Sequence, residues 1–181
     1  IDTLVSSCAE CFRTFARDYE LEDIKVMHTT EFLIEQGFDM NLKAEEETTV
    51  TYHDPCRLGR QMGVYEEPRE LIQSVEGVSI VEMEHSGEDA MCCGVSSMMS
   101  CNENARALRV ARMEEIKSTG ADTMLTACPK CVTHFECLKF EGDERYADIK
   151  ILDVVSFLAQ QINEKKENIG QKSFPVIETE A

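Results

Sequence analysis

Cysteines in this chain stand where apolar, β-branched runs end, and that placement restricts the fold more than any other feature of the sequence. Cys8 closes DTLVSSC, Cys56 closes VTYHDPC, and Cys128 closes DTMLTAC, while the pair Cys92–Cys93 follows the run VSIVEME. From Cys56 onward the spacing is C-x35-CC-x34-C-x2-C. Each run reads as a strand, and segments of helical periodicity lie between them. Alternating strands and helices predict an α/β domain with a mainly parallel sheet. In such a sheet the carboxyl ends of the strands share one edge, where ligand sites form. Three loops about 35 residues apart in sequence then converge on one point.

A disulfide between the adjacent thiols is disfavoured. Neighbouring Cα atoms lie about 3.8 Å apart, whereas unstrained disulfides span about 4.4–6.8 Å. The nine cysteines are an odd number and nothing points to secretion, so a disulfide scaffold is not expected. Reduced cysteines gathered in motifs are metal ligands or redox centres, and only four histidines compete with them. All-sulfur sites suit zinc or iron–sulfur clusters. Zinc takes four ligands, commonly from two C-x-x-C knuckles, but here five cysteines converge with a single C-x-x-C among them. A polynuclear cluster uses the surplus more naturally. Gly94 permits a backbone conformation or a close approach to inorganic sulfide that a side chain obstructs. Helices beginning after Cys131 and near Ser100 would aim amides at an anionic cluster. Thioredoxin-like exchange at CPKC is a competing reading, and it leaves Cys56, Cys92 and Cys93 without a role.

Further segments complete the pattern. IKVMH and DIKILDV read as strands, TTEFLIEQG as a helix with a threonine cap and closing glycine, EEPRELIQSV as a helix, and VSFLAQQI as the last helix. SCNENARALRVARMEEIKSTG opens with Ser100 three residues before Glu103, a capping-box pattern, and stops at Gly120. An internal repeat also emerges. SCAECFRTF from Ser7 matches ACPKCVTHF from Ala127, and DIKVMHTTEFLIEQ from Asp23 matches DIKILDVVSFLAQQ from Asp148 at six of fourteen positions. The organisation expected is the tail of one unit (1–36), a polar linker (37–49) that includes AEEE, a complete second unit (50–163), and a polar, disordered tail (164–181). The chain opens on Ile1 rather than methionine, which points to a fragment or a processed chain.

With 35 acidic and 18 basic side chains, the net charge is −17. That balance repels phosphate backbones and anionic lipid surfaces, so nucleic acid is not an expected partner. No apolar run approaches the length of a membrane span and no signal peptide opens the chain, which argues against membrane insertion. The location expected is cytoplasmic, either free or peripheral to a membrane complex.

The spacing, the HDPCRLG context of Cys56, CCG and TACPKC together resemble the cysteine-rich CCG domain. That domain occurs in the catalytic iron–sulfur subunits of heterodisulfide reductases and in thiol:fumarate reductase. It also occurs in iron–sulfur subunits of glycolate and lactate oxidation. The resemblance covers one complete copy, about residues 50–158, and the end of a preceding copy, about 1–36. It implies a non-cubane [4Fe–4S] cluster held by Cys56, Cys92, Cys93, Cys128 and Cys131, cleaving a disulfide with electrons delivered singly by other clusters. By the same resemblance, Cys8 and Cys11 match the closing C-x-x-C of the earlier copy and would ligate a second iron–sulfur cluster or zinc. The partners implied are ferredoxin-type, flavin or cytochrome subunits and a thiol or disulfide substrate. Relatives often carry a glycine run after CCG, where this chain has VSSMMSC.

Three functions follow as expectations: a disulfide-reducing catalytic subunit, an electron relay for a flavin-dependent 2-hydroxy acid oxidising complex, or a zinc-stabilised structural module. His53 is a candidate proton donor to a leaving thiolate, or shapes the turn into Cys56 with Asp54 and Pro55. Arg57 and Arg60 offset cluster charge, hold an anionic substrate, or face solvent. Cys101 and Cys137 lie outside the five-cysteine set and read as small buried residues, with alternative ligation or redox roles left open. Met98 and Met99 read as packing.

Overall fold

The computed structural model describes residues 1–37, 41–95 and 102–166, and among these strands and helices alternate. Strand β1 (Thr3–Ser6) leads into α1 (Ala9–Arg17), and β2 (Lys25–His28) into α2 (Thr29–Glu35). β1 and β2 form a parallel two-stranded sheet. The second unit runs β3 (Lys43–His53), α3 (Gly59–Met62), α4 (Glu66–Gln73), β4 (Glu76–Ile80) and α5 (Glu103–Ser118). It continues with β5 (Thr123–Thr126), α6 (Pro129–Phe140), β6 (Lys150–Asp153) and α7 (Val154–Lys166). Its strands pair in parallel in the order β4-β3-β5-β6. The predicted α/β architecture with parallel sheets is the one found.

A parallel sheet needs cover on both faces. Every residue of β5 is buried, as are the last four of β3. Helix α4 packs on β4 and α7, and α5 packs on α6. Val50, Tyr52, Met124 and Leu125 of the sheet meet Leu71, Ile72, Met113, Ile116 and Phe135 of the helices in one core. Each of these side chains contributes roughly 1.5–3 kcal/mol by leaving water. Among the described residues no helix is long and apolar enough to cross a membrane.

Strand order positions the site. β4 lies on one side of β3 and β5 on the other, so the chain leaves the carboxyl ends of β3 and β5 in opposite directions. The crevice between those ends is the topological switch point, the usual ligand position in open α/β sheets. His53 pairs in register with Thr126 at this edge. Cys56, just past β3, and Cys128, just past β5, therefore come to the same crevice.

The internal repeat is also structural. β1-α1-β2-α2 and β5-α6-β6-α7 have the same order, each built on a parallel strand pair. Cys8 and Cys128 are both N-cap residues in extended backbone. His28 and Asp153 stand in matching positions before α2 and α7, and each accepts from the amide two residues on, Thr30 at 3.3 Å and Val155 at 2.9 Å.

Four expectations change. The stretch 43–49, read as linker, is the first part of β3. Leu42 and Ala44 are buried there while Glu45–Glu47 face solvent, and Lys43 pairs with Glu76 of β4 at 2.6 Å. Three consecutive glutamates hide the alternation, and the ladder to β4 outweighs their poor strand propensity. The N-cap of α2 is His28 rather than a threonine, because its ring reaches the Thr30 amide and Glu31 reaches back to the His28 N–H. Helix α6 starts at Pro129, so Cys131 lies in its first turn rather than ahead of it. The polar end beginning at residue 164 opens inside α7. Ser100 and its capping box lie outside the described residues; the observed cap of α5 is Asn102, whose Oδ1 accepts from the Ala105 amide at 2.9 Å.

Candidate metal centre

Five cysteines from three loops meet at the switch point. Cys56 sits in the turn after β3, where the Pro55 carbonyl accepts from the Leu58 and Gly59 amides at 2.9 Å each. Cys92 and Cys93 come from the connection between β4 and α5, and Cys128 and Cys131 from the N-terminus of α6. The thiols form a continuous set: Cys56 bonds to Cys92, Cys131 Sγ donates to Cys93 Sγ at 3.4 Å, and Cys131 bonds to Cys128. The set extends into the first unit, since Cys8 bonds to Cys128 and to Cys11. None of the eight described cysteines is in a disulfide. Cys56, Cys93, Cys128 and Cys131 line a small, partly enclosed cleft, with Glu10, Arg57 and Lys130 as its charged walls. A Lys130–Glu10 ion pair ties α6 to α1 beside it.

The electrostatics of these thiols are uneven. Cys56 is pushed up by its bond to Cys92 and then by burial. Cys131 is pushed well up by bonds to Cys128 and Cys93 and by burial. For Cys93 the bond from Cys131 lowers the pKa, but Cys92 and burial outweigh it and lift the thiol to about 12. Cys128 moves the other way, far below an ordinary thiol. Its sulfur accepts from Cys131 and Cys8 and faces the Cys131 and Lys130 amides at the start of α6. A helix N-terminus stabilises a thiolate. The site thus holds one favoured thiolate among thiols that their sulfur neighbours and burial keep protonated. A metal centre takes the place of those protons on the sulfurs. The donor set therefore fits a thiolate-bound metal centre.

Two features around the sulfurs sharpen the fit. Gly94 has φ +90°, and a Cβ there would stand 2.4 Å from the Ala105 carbonyl oxygen in the first turn of α5. Its amide donates to Cys92 Sγ at 3.3 Å. Only glycine lets the chain turn this tightly between the cysteine pair and the helix. His53 is inaccessible, and a ring nitrogen of His53 lies within 4.8 Å of the Cys93 and Cys131 sulfurs. Burial first, and then the Arg112 guanidinium, lowers its pKa to about 3.

Asp54 does more than shape a turn. It takes a bidentate pair from Arg69 at 2.7 and 2.9 Å and accepts the Gly87 amide at 2.9 Å. Arg69 also binds Glu82 and lies 4.9 Å over the Tyr52 ring. Asp54 thus ties the Cys56 turn to α4 and to the segment ahead of Cys92. Arg57 donates to Gln61 at 2.8 Å and lines the thiol cleft. Arg60 donates to the Ala90 carbonyl at 2.6 Å, bracing the approach to the cysteine pair. Cys137 is half-buried on α6, lining a separate open cavity with His134. Cys101, Met98 and Met99 lie outside the described residues.

Sequence reasoning missed Arg109, Arg112 and His134. Both arginines are fully buried. Arg112 donates from Nε to His53 Nδ1 at 3.1 Å, binds the His85 carbonyl at 2.7 Å and pairs with Glu115. Arg109 pairs with Glu141 at 2.8 Å and reaches His134 Nδ1 at 3.4 Å. The only sequence signal was a three-residue arginine period, Arg106, Arg109 and Arg112, on a helix of mixed polarity.

Residues 50–136 match the family CCG, described as a cysteine-rich domain. One component of the dihydromethanophenazine:CoB–CoM heterodisulfide reductase of Methanosarcina acetivorans is 37% identical over 165 residues, 86% of this chain and 40% of that protein. One component of the fumarate reductase (CoM/CoB) of Methanothermobacter marburgensis is 34% identical over 87% of this chain and 32% of that protein. A probable iron–sulfur-binding oxidoreductase of Bacillus subtilis is 34% identical over 82% of this chain and 21% of that protein. The chain thus spans less than half the length of these relatives.

Proposed function

Residues 50–136 belong to the cysteine-rich CCG domain family, and from that premise we propose that the chain is part of an iron–sulfur oxidoreductase subunit that reductively cleaves a disulfide. The observation that carries this reading is the meeting of Cys56, Cys92, Cys93, Cys128 and Cys131 at one switch point, with sulfurs in contact. These five would hold a non-cubane [4Fe–4S] cluster. When bound, such a cluster supplies single-electron steps that let two deliveries open one S–S bond.

The chain's own residues do the rest. The α6 amides favour the charged form of Cys128. The Asp54–Arg69 pair, the Asp54 bond to the Gly87 amide and Arg60 hold the Cys56 loop against the segment ahead of Cys92. The cleft walled by Glu10, Arg57 and Lys130 marks the side from which a thiol or disulfide would approach the sulfur site. Cys8 and Cys11 would serve a second, adjoining centre completed from elsewhere. Electrons would come from ferredoxin-type, flavin or cytochrome partners.

Anaerobic purification followed by iron, sulfide and zinc analysis tests the centre. About four irons per chain are expected, and stoichiometric zinc without iron overturns the reading. Adding a heterodisulfide while following the EPR spectrum tests cleavage. A new substrate-dependent signal is expected, and an unchanged spectrum instead makes the centre an electron relay.

A further inference from the structure

Two buried histidines flank the cysteine site, and the same helix addresses both through arginines one turn apart. Arg112 and Arg109 of α5 donate to the Nδ1 atoms of His53 and His134 respectively. A guanidinium is only a donor, so each Nδ1 must be the acceptor and carry no proton. The proton of each neutral ring therefore sits on Nε2. In both rings Nε2 is buried without a partner among the described residues. An unpaired buried donor is costly and calls for an acceptor. For His53, the nearby groups of opposite character are the sulfurs of Cys93 and Cys131. For His134, Nε2 lies 3.3 Å from where a Cβ on Gly94 would be, against the turn that follows Cys92. Packing fixes the His53 ring further, since Phe135 meets it edge-to-face at 5.0 Å and 88°.

We propose that Arg112 is a positioning residue that locks His53 as an Nε2–H donor aimed at the Cys93 and Cys131 sulfurs of the cysteine centre. This rests on the cluster reading above. In this role His53 keeps its proton and lends a hydrogen bond: losing Nε2–H would leave an imidazolate, and gaining a proton at Nδ1 would break the Arg112 bond. A donor to sulfur stabilises the more negative, reduced state of a cluster and so raises its potential.

The test uses the anaerobically purified, full-length chain with two substitutions of His53. His53→Leu removes the donor, whereas His53→Gln keeps an N–H near the Nε2 position. One charge-assisted hydrogen bond corresponds to about a tenfold change in the redox equilibrium, or about 59 mV for a one-electron couple. An EPR-monitored titration should show His53→Leu lower by that amount and His53→Gln near the parent. Equal potentials in all three would overturn the proposal. Nitrogen-15 NMR of the metal-free, reduced chain reads the tautomer directly. The His53 ring should be protonated at Nε2, and Arg112→Met should mix the tautomers; an Nδ1–H ring in the parent chain refutes the arginine's role. A chain that binds no iron sinks the cluster reading alone, and the NMR result then decides His53.

Discussion

Replacing Gly94 with alanine should unlatch the cysteine pair from helix α5, and the structure supplies both parts of the cost. The first is conformational: at φ +90° a side chain meets strain of about 1–2 kcal/mol. The second is steric. The new Cβ would lie 2.4 Å from the Ala105 carbonyl oxygen, and real Cβ contacts begin near 3.0 Å, so the turn or the helix end must shift by several tenths of an ångström. Displacing that first turn puts the Asn102 cap at risk, which adds about 1 kcal/mol. The total is about 2–3 kcal/mol. Gly63→Ala is the matched control, since Gly63 has φ +78° and nothing within 4 Å of its virtual Cβ. It should cost about 1–2 kcal/mol, the conformational part alone. Urea denaturation of the metal-free, reduced proteins measures the two values, and iron analysis of anaerobic preparations measures the consequence. Gly94→Ala should also lose iron, because the Gly94 amide is held against Cys92 Sγ. If the two alanine variants were equally stable and both fully loaded, the close approach of this turn to α5 would have no energetic meaning.

Further outcomes follow from the same geometry. Cys92→Ser and Cys93→Ser should each lower iron content and visible absorption, whereas Cys137→Ser, which lines a different cavity, should leave both unchanged. Asp54→Asn should cost about 3 kcal/mol, since it breaks a buried ion pair; a melting point lower by roughly 6–12 °C is the readout. Burial lowers the pKa of His28 to about 4, and burial with Arg112 lowers that of His53 to about 3, both from 6.5. Between those values and 6.5 the unfolded chain binds more protons than the folded one. The metal-free protein should therefore lose stability as pH falls below about 6.5, by up to ~1.4 kcal/mol per unit for each histidine. Glu31 and Asp153, pushed up mainly by burial, oppose this trend. The difference between parent and His28→Gln from about pH 6.5 to about pH 5 isolates the histidine, and equal slopes would refute its assignment.

The sequence by itself determined the alternation of strands and helices, the parallel sheet, the repeat and the five-cysteine set. Each of these is local or periodic information: β-branched runs, helix stops such as Gly120, and motif spacing survive without knowing what packs where. Gly94 was legible for the same reason, as a glycine directly after two ligand candidates. The strand Lys43–Thr49 was not, because three glutamates obscured a pattern that pairing with β4 completes. Only the tertiary structure decided the order β4-β3-β5-β6, which opens the crevice between Cys56 and Cys128. It also brought Cys8 against Cys128 across 120 positions of sequence. Above all, it decided which charges are buried. Arg106, Arg109 and Arg112 read alike along α5, yet Arg106 faces solvent while the other two are sealed against His134 and His53. A side chain's partners come from the packing of distant elements, and the energy of a buried charge is the balance of its lost hydration against those partners.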